Sequence, residues 1–481
     1  MKIKFYNLGT IKETELDLRP LTIIIGPNNS NKTYIAYSTY GLLQASRNRS
    51  IHSGVEFQVK DNAATLKIDN KFKEFIDADC RQICDAFTAN LTTFFQDSSR
   101  KLFNATRFEL FASAEEVDQT LQRLNSKPLS DFNKSEYDAS YDEGTITIRL
   151  NQLNATKGLR SGEVDFAFYY EFIRHLFSQQ FLLPAERNAF IITYKVLLNK
   201  RFSLLRDRER RMFGKQDESD LQSRFLREQG DIRYPQPIED FLDMLSDIEL
   251  THKQVKIPRS AENNGQRNGA PHDSFADVAR QIERYIQGGN TTSYSPTTLG
   301  GSEIMVKVKK GLDIDLYNAS SSIKQLAPLL LYLRYRAAEN QLLIIDEPEM
   351  NLHPESQVKL LEILAILVNA GVKVMLTTHS PYLMAHLNNL VLNEQHSESV
   401  KEKQATSLYL KDPRAFLTME QVSAYEMRDN QLRSLKDEEF GIRYDTLSDV
   451  SVDVQQKYFE IYEKGKPTKR AKTQKAASDI S

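Results

Sequence analysis

Four short clusters in this chain have the residue types and spacing to handle a phosphate group. The first is Gly26-Pro27-Asn28-Asn29-Ser30-Asn31-Lys32-Thr33. It follows the pattern G-x-x-x-x-G-K-[ST], with Asn31 in the second glycine position. In such a loop, backbone N–H groups and a helix N-terminus surround the phosphates. Lys32 adds a point charge near the β- and γ-phosphates, and the Thr33 hydroxyl ligates Mg²⁺. Asparagine is the non-glycine residue that best tolerates positive φ, so Asn31 is expected to hold the same backbone. A strand-to-helix turn calls for Gly and Asn on its own account, so this loop needs support from elsewhere.

That support comes from the second cluster, Asp346-Glu347-Pro348, which directly follows the apolar run Leu342–Ile345. A carboxylate at the end of a buried strand can hold Mg²⁺ through its water shell, the part expected of Asp346. Glu347, one residue on, is placed to polarise an attacking water. An exposed acidic turn is the plainer reading, but it does not explain why the pair follows an all-apolar strand so closely. The third cluster, Thr377-Thr378-His379-Ser380-Pro381, follows Val372–Leu376, a strand-like run that is apolar except at Lys373. A neutral His379 there can hydrogen-bond a γ-phosphate or the attacking water. A lone strand-end histidine is usually structural; three strand ends converging on one phosphate site favour a chemical role. The fourth is Ser320-Ser321-Ser322, which opens a helix with Leu326, Leu329, Leu330 and Leu333 at helical spacing. Hydroxyls at a helix start are ordinary caps, and the same geometry makes an anion site.

The elements that must position these clusters alternate between strand and helix. Lys2–Asn7 and Thr14–Leu18 alternate in polarity, and Leu21–Ile25 is a short continuous apolar run, suited to a parallel strand covered on both faces. Further alternation at Val55–Val59, Thr145–Leu150, Ile304–Val308 and Leu312–Leu316 predicts strands. Helical periodicity dominates from Asp69 to about Arg100 and from Arg187 to Ile286. The second stretch contains the charge-dense Arg206–Arg211 and the polar Ala261–Ala270, and it closes at Gly288-Gly289. Leu342–Ile345 and Val372–Leu376, flanking the helix Glu355–Leu367, form a parallel βαβ pattern. Beyond Gly465 the sequence is basic, small and polar, and is expected to be a disordered tail.

Composition sets outer bounds. The 481 residues are 40% hydrophobic and 27% charged, which suits a folded chain of more than one domain. No run of about 18 uncharged apolar residues appears, so no membrane-spanning segment is expected. The N-terminus lacks the apolar core of a secretory signal, and a cytoplasmic location follows as an expectation. Cys80 and Cys84 are the only cysteines, too few and too isolated for a zinc site. A net charge of −2 gives no global reason to bind nucleic acid or membrane.

The four clusters in this order, with a long helical stretch between the first and the rest, resemble the ABC-type ATPases of the SMC/RecF/OLD group. The resemblance implies an α/β fold: a P-loop ATPase head with a central mixed or parallel sheet, interrupted by a helical, coiled-coil-like insertion. Gly26 to Thr33 is similar to the Walker A motif and Leu342 to Glu347 to Walker B with its catalytic glutamate. Asn351–Pro354 is similar to the D-loop region, and His379 to the switch histidine. Ser320–Ser322 stands where the family has its signature motif, which reads the γ-phosphate of ATP bound to a partner subunit. The departures are Asn31 and the Ser-Ser-Ser-Ile-Lys core.

Leu183–Arg187, Gly288-Gly289, Glu347-Pro348-Glu349, Thr378–Pro381 and Val422–Glu426 extend the resemblance to stand-alone AAA-15-type ATPases of bacterial anti-phage systems. That implies ATP and Mg²⁺ as cofactors, with Lys32, Glu347 and His379 catalytic. Residues 26–33 and 320–322 would hold nucleotide, and Thr33 and Asp346 the metal. The expected division is a head in two parts, residues 1–186 and 288–463, with an insertion over 187–287 and a tail over 464–481. The implied partners are a second copy or a higher homo-oligomer, a separate effector such as a TOPRIM-type nuclease, and a phage-encoded trigger. A RecF-like DNA-repair ATPase and a non-hydrolysing nucleotide-gated scaffold are the alternatives. About 100 residues follow the switch histidine, with no evident cluster of catalytic carboxylates, so no nuclease is assigned to this chain.

Overall fold

In the computed structural model the described residues are 1–47, 57–60, 63–99, 101–125, 129–130, 136–150, 161–198, 234–254, 271–296, 302–309, 312–391, 398–437 and 441–464. The fold is mixed α/β around a six-stranded sheet. Its order is Gln179–Leu183, Gln341–Asp346, Lys373–Thr378, Leu21–Ile25, Val422–Arg428 and Gln431–Ser434. The first five strands run parallel and the last is antiparallel. Leu21–Ile25 is buried at every position, Thr22 included, as its short apolar run predicts for a strand covered on both faces.

The two-residue period of the strands divides their side chains between two cores. Ile23, Ile345, Val374, Leu376 and Ala424 join one cluster with the helices Ser321–Tyr335, Pro354–Asn369 and Pro381–Leu390. Ile24, Leu342, Ile344, Met375 and Met427 join the other, with the helices Lys32–Ala45, Asn70–Phe94 and Ser161–Leu176. Gly41 allows the closest approach on that second face. A Cβ there would stand 2.2 Å from the Phe87 ring and 2.8 Å from that of Phe94.

The N-terminal hairpin, Lys2–Leu8 with Ile11–Asp17, pairs with Arg107–Phe111 in a three-stranded antiparallel sheet. Two further antiparallel sheets contain Thr145–Leu150, as expected, Ser302–Lys309, which extends the expected Ile304–Val308 at both ends, and Leu312–Asp315, which stops one residue short of the expected Leu316 because Leu316 opens a short 3-10 turn. Gln179–Leu183 was not signalled by alternation. It begins with two glutamines and takes its strand identity from pairing with Gln341–Ile345.

Three helices are described within the stretch 187–287: residues 187–198, Gln236–Gln254 and Pro271–Tyr285. Ile191, Tyr194, Phe241, Leu245, Phe275 and Ile282 enter the same core as the Ser321–Tyr335 helix. The charged run 206–211, the polar run 261–270 and the tail beyond 464 lie outside the described residues. Among the described residues, no helix is long and apolar enough to cross a membrane.

Candidate active site

The parallel strands Leu21–Ile25, Gln341–Asp346 and Lys373–Thr378 end on the same edge of the sheet, and their carboxyl ends bring the loop, the acids and the histidine together. Gly26 has φ +150°, and a Cβ on it would stand 2.8 Å from the Met427 carbonyl oxygen, so the first loop position admits only glycine. Asn31 adopts the left-handed conformation at φ 67°, ψ 17°, as expected for the residue replacing the second glycine. Its side chain is fixed rather than idle: Nδ2 donates to Thr10 Oγ1 at 2.6 Å, and Thr10 Oγ1 donates to Asn430 Oδ1 at 2.7 Å. The hairpin turn at Gly9-Thr10 and the turn at Asn430 thus buttress the departure from the glycine pattern.

The Lys32–Ala45 helix begins directly after Asn31, with no side-chain cap and no acidic residue in its first turn. Its N-terminal N–H groups and positive dipole end are therefore available to an anion. Lys32 is buried and donates to Gly26 O at 3.1 Å and Pro27 O at 2.8 Å, closing the loop on itself. Burial lowers its pKa, while Glu347, Asp346 and Glu349 act in the opposite sense.

Thr33 Oγ1 donates to Asp346 Oδ2 at 3.2 Å, and Thr377 Oγ1 donates to Asp346 Oδ1. Asp346 is 3% exposed, and burial raises its pKa. Glu347 has φ 49°, and its N–H donates to the Thr377 carbonyl at 3.2 Å. Its Oε1 lies 3.5 Å from His379 Nε2. Hydrogen bonding to His379 lowers the Glu347 pKa, with Lys32 and Arg187 adding to the effect and burial opposing it. Glu349 Oε1 accepts from the His379 N–H at 2.6 Å, and burial raises the Glu349 pKa while hydrogen bonds from His379 and Thr378 oppose the rise.

Ser320 caps the Ser321–Tyr335 helix, accepting from Ile323 N at 3.4 Å, and its hydroxyl lies 3.0 Å from that of Ser322. Ser320 and Ser321 are exposed, and among the described residues no hydrogen bond joins the serines to the phosphate loop or to the acids. Lys32, Thr33, Asp346, Glu347 and His379 are therefore assembled at one place within the chain, and the serines stand on a separate helix start. In the segment after the acids, Asn351 has φ 60°, and His353 Nδ1 accepts from Glu355 N at 3.3 Å, capping the Pro354–Asn369 helix.

The residues present fit a magnesium–nucleotide pair. Thr33 and Asp346 are hard oxygen donors in contact with each other, a small set of the kind suited to an ion that keeps most of its waters. The Glu349 carboxylate adds an acceptor beside His379. Residue chemistry alone singled out neither Thr377 nor Glu349, although each is next to or within a marked cluster. It also missed Arg187, a 2%-exposed arginine whose guanidinium bonds the Asp346 carbonyl at 2.8 Å. The Leu183–Arg187 run was visible, but nothing in it tells what the arginine touches.

A parallel sheet with a phosphate loop after one strand and a carboxylate pair after another defines a protein of the P-loop nucleotide-binding class. A family profile described as AAA ATPase domain (AAA_15) matches residues 1–384, and the chain belongs to that family. Three solved structures align over most of its length. A crystal structure of the SmcHead bound to the C-winged helix domain of ScpA is 12% identical, with 90% of this chain and 96% of that one covered and a TM-score of 0.36. The Smc head domain with an extended coiled coil bound to the C-terminal domain of ScpA, derived from Pyrococcus furiosus, is 12% identical, with 94% and 98% covered and a TM-score of 0.32. The SMC head domain from Thermotoga maritima is 9% identical, with 92% and 98% covered and a TM-score of 0.28. Comparison with curated proteins gave no match.

Proposed function

We propose that this chain binds and hydrolyses ATP between paired heads, and that it acts as a sensor and scaffold controlling a separate effector in bacterial anti-phage defence. The observation that carries the ATPase reading is the joint placement of Thr33 on Asp346 and Glu347 beside His379, at strand ends next to the phosphate loop. Lys32 and the helix N-terminus bind the phosphates, the lysine exchanging its loop carbonyls for phosphate oxygens. Thr33 and Asp346 would hold Mg²⁺, which when bound would neutralise phosphate charge. Glu347, its pKa lowered by the His379 hydrogen bond, accepts a proton from the attacking water as the water oxygen bonds to the γ-phosphorus and the bond from that phosphorus to the β–γ bridging oxygen breaks, leaving ADP and inorganic phosphate. His379 orients the glutamate and the water. Ser320–Ser322 of a second copy complete the site, which accounts for Ser320 and Ser321 standing exposed and, among the described residues, for no hydrogen bond joining the three serines to the acids of their own chain.

The defence role rests on the sequence resemblance to the ATPase subunits of the PARIS and Septu systems, the former matching better in size and insertion. On that resemblance the effector is a nuclease of the TOPRIM type and the trigger is phage-encoded. The insertion, 187–287, offers a docking element outside the phosphate loop.

The deciding experiment is Glu347→Gln, which keeps shape and removes charge. ATP affinity should hold, phosphate release should fall by about 10²–10⁴, and mass by light scattering should rise with ATP and persist. A companion Ser321→Arg change should abolish that gain in mass. Parent-like turnover in Glu347→Gln removes the glutamate from the mechanism, and an ATP-independent mass refutes head pairing.

A further inference from the structure

Arg187 is the largest fully buried side chain in the described structure; Asp346, Glu349 and Glu347 favour its charged form, but among the described residues its hydrogen bonds go to carbonyl oxygens rather than to a carboxylate. A buried guanidinium is retained only if its five N–H groups are occupied. Here they are spent on carbonyl oxygens from three separate segments. Nη1 donates to Pro184 O at 2.9 Å and to Asp346 O at 2.8 Å, Nη2 donates to Glu347 O at 3.1 Å, and Nε donates to Gln325 O at 3.1 Å. The buried Gln325 amide, with its oxygen turned to the guanidinium, accepts from Nη2 at 2.7 Å and Nη1 at 3.2 Å.

Two of these segments are the ones a paired-head mechanism has to connect. Gln325 sits early in the Ser321–Tyr335 helix, just past the serine cluster at its start. Glu347 is held in the left-handed region at φ 49°, which a non-glycine residue occupies only when its surroundings enforce it. Its N–H is fixed by Thr377 and its carbonyl by Arg187. One rigid, planar cation thus spans from the helix that begins at the serines to the peptide that aims the glutamate. Burial lowers the Arg187 pKa to about 10, leaving it charged at neutral pH.

We infer that Arg187 is a positioning residue that couples the Ser321–Tyr335 helix to the backbone of Glu347, so that contact of the serines with nucleotide on a second copy sets the glutamate for turnover. The inference rests on the ATPase reading above. A lysine offers a point charge and cannot bridge carbonyls in fixed directions, so the conservative replacement should not rescue the coupling. A purely structural arginine would act through the folded fraction alone.

The test compares Arg187→Lys and Gln325→Met with the parent by calorimetric ATP titration, phosphate release and thermal melting. ATP-driven mass is followed for each change in the Glu347→Gln background. Expected for Arg187→Lys are an ATP affinity and KM within about twofold of the parent and a kcat lower by about 10–100-fold, the scale of a misplaced reacting group. In the Glu347→Gln background, ATP should bind while the gain in mass is weakened. Gln325→Met, which removes the side-chain amide and leaves the backbone carbonyls in place, should show the same pattern to a smaller degree and serves alone if Arg187→Lys does not fold. A parent-like kcat in either folded variant, or a loss of kcat matched by equal losses of ATP binding and folded fraction, overturns the coupling. A parent that binds ATP without releasing phosphate refutes hydrolysis instead, and the gain in mass then decides the coupling by itself.

Discussion

At the level of single residues, Asp346 shows what the site costs the fold. Its carboxylate is buried, and its pKa lies above the usual 3.8. The unfolded chain ionises more readily than the folded one, so ionisation destabilises the nucleotide-free protein. The penalty is absent well below pH 3.8, grows as pH rises through the folded pKa and is complete above it. Asp346→Asn should therefore melt at a higher temperature than the parent at pH 7, with the difference shrinking as the solution is acidified, while magnesium-dependent turnover is lost. Scanning calorimetry across pH checks both signs. Glu347 runs the other way, its pKa lowered first by the His379 hydrogen bond. His379→Ala should move the acidic limb of the kcat/KM profile to higher pH. For Lys32, hydrogen bonds to charged groups of about 1.5–3 kcal/mol predict roughly a 10–100-fold loss of ATP affinity in Lys32→Ala, measured by calorimetry.

Among the secondary-structure elements, the helix that carries Lys32 is registered by the missing side chain of Gly41, which lets the Phe87 ring close in. Gly41→Ala overpacks that contact and should cost about 1–3 kcal/mol, read as a lower denaturant midpoint. Because the same helix presents the phosphate-binding N-terminus, ATP affinity should fall with it. The sequence made the central strand plain, because a five-residue apolar run between a hairpin and a glycine loop has few other uses. The acids and the histidine were legible for the same reason, each ending an apolar run. Gln179–Leu183 escaped because tertiary pairing rather than pattern makes it a strand. Arg187 escaped because a cation satisfied by carbonyls leaves neither periodicity nor a charge partner to read. The buttress of Asn31 by Thr10 and Asn430 was equally hidden, since it joins residues that only the fold brings near.

Viewed as a whole molecule, the chain has a net charge of −2, and the segment after Gly465 is locally basic, with Lys466, Lys469, Arg470, Lys472 and Lys475 against the single acid Asp479. Phosphate-dominated DNA binding should be confined to that tail. Duplex affinity by fluorescence anisotropy is expected at about 10⁻⁴–10⁻⁶ M at physiological salt, weakening steeply with added salt. It should largely vanish when Lys466–Ser481 are deleted. Tight binding that survives the deletion would favour a RecF-like repair ATPase.

The order of the central sheet has a consequence for how the protein is made. Leu21–Ile25 pairs with Lys373–Thr378 on one side and Val422–Arg428 on the other. Its first neighbour lies about 350 residues downstream, so at about 5–20 residues per second on the ribosome the strand waits roughly 20–70 s for a partner. During that interval a largely apolar segment with two open edges trails from the nascent chain, a natural client for chaperones. A message truncated before residue 373 would encode the entire phosphate loop, yet the strand beneath that loop would lack both of its neighbours.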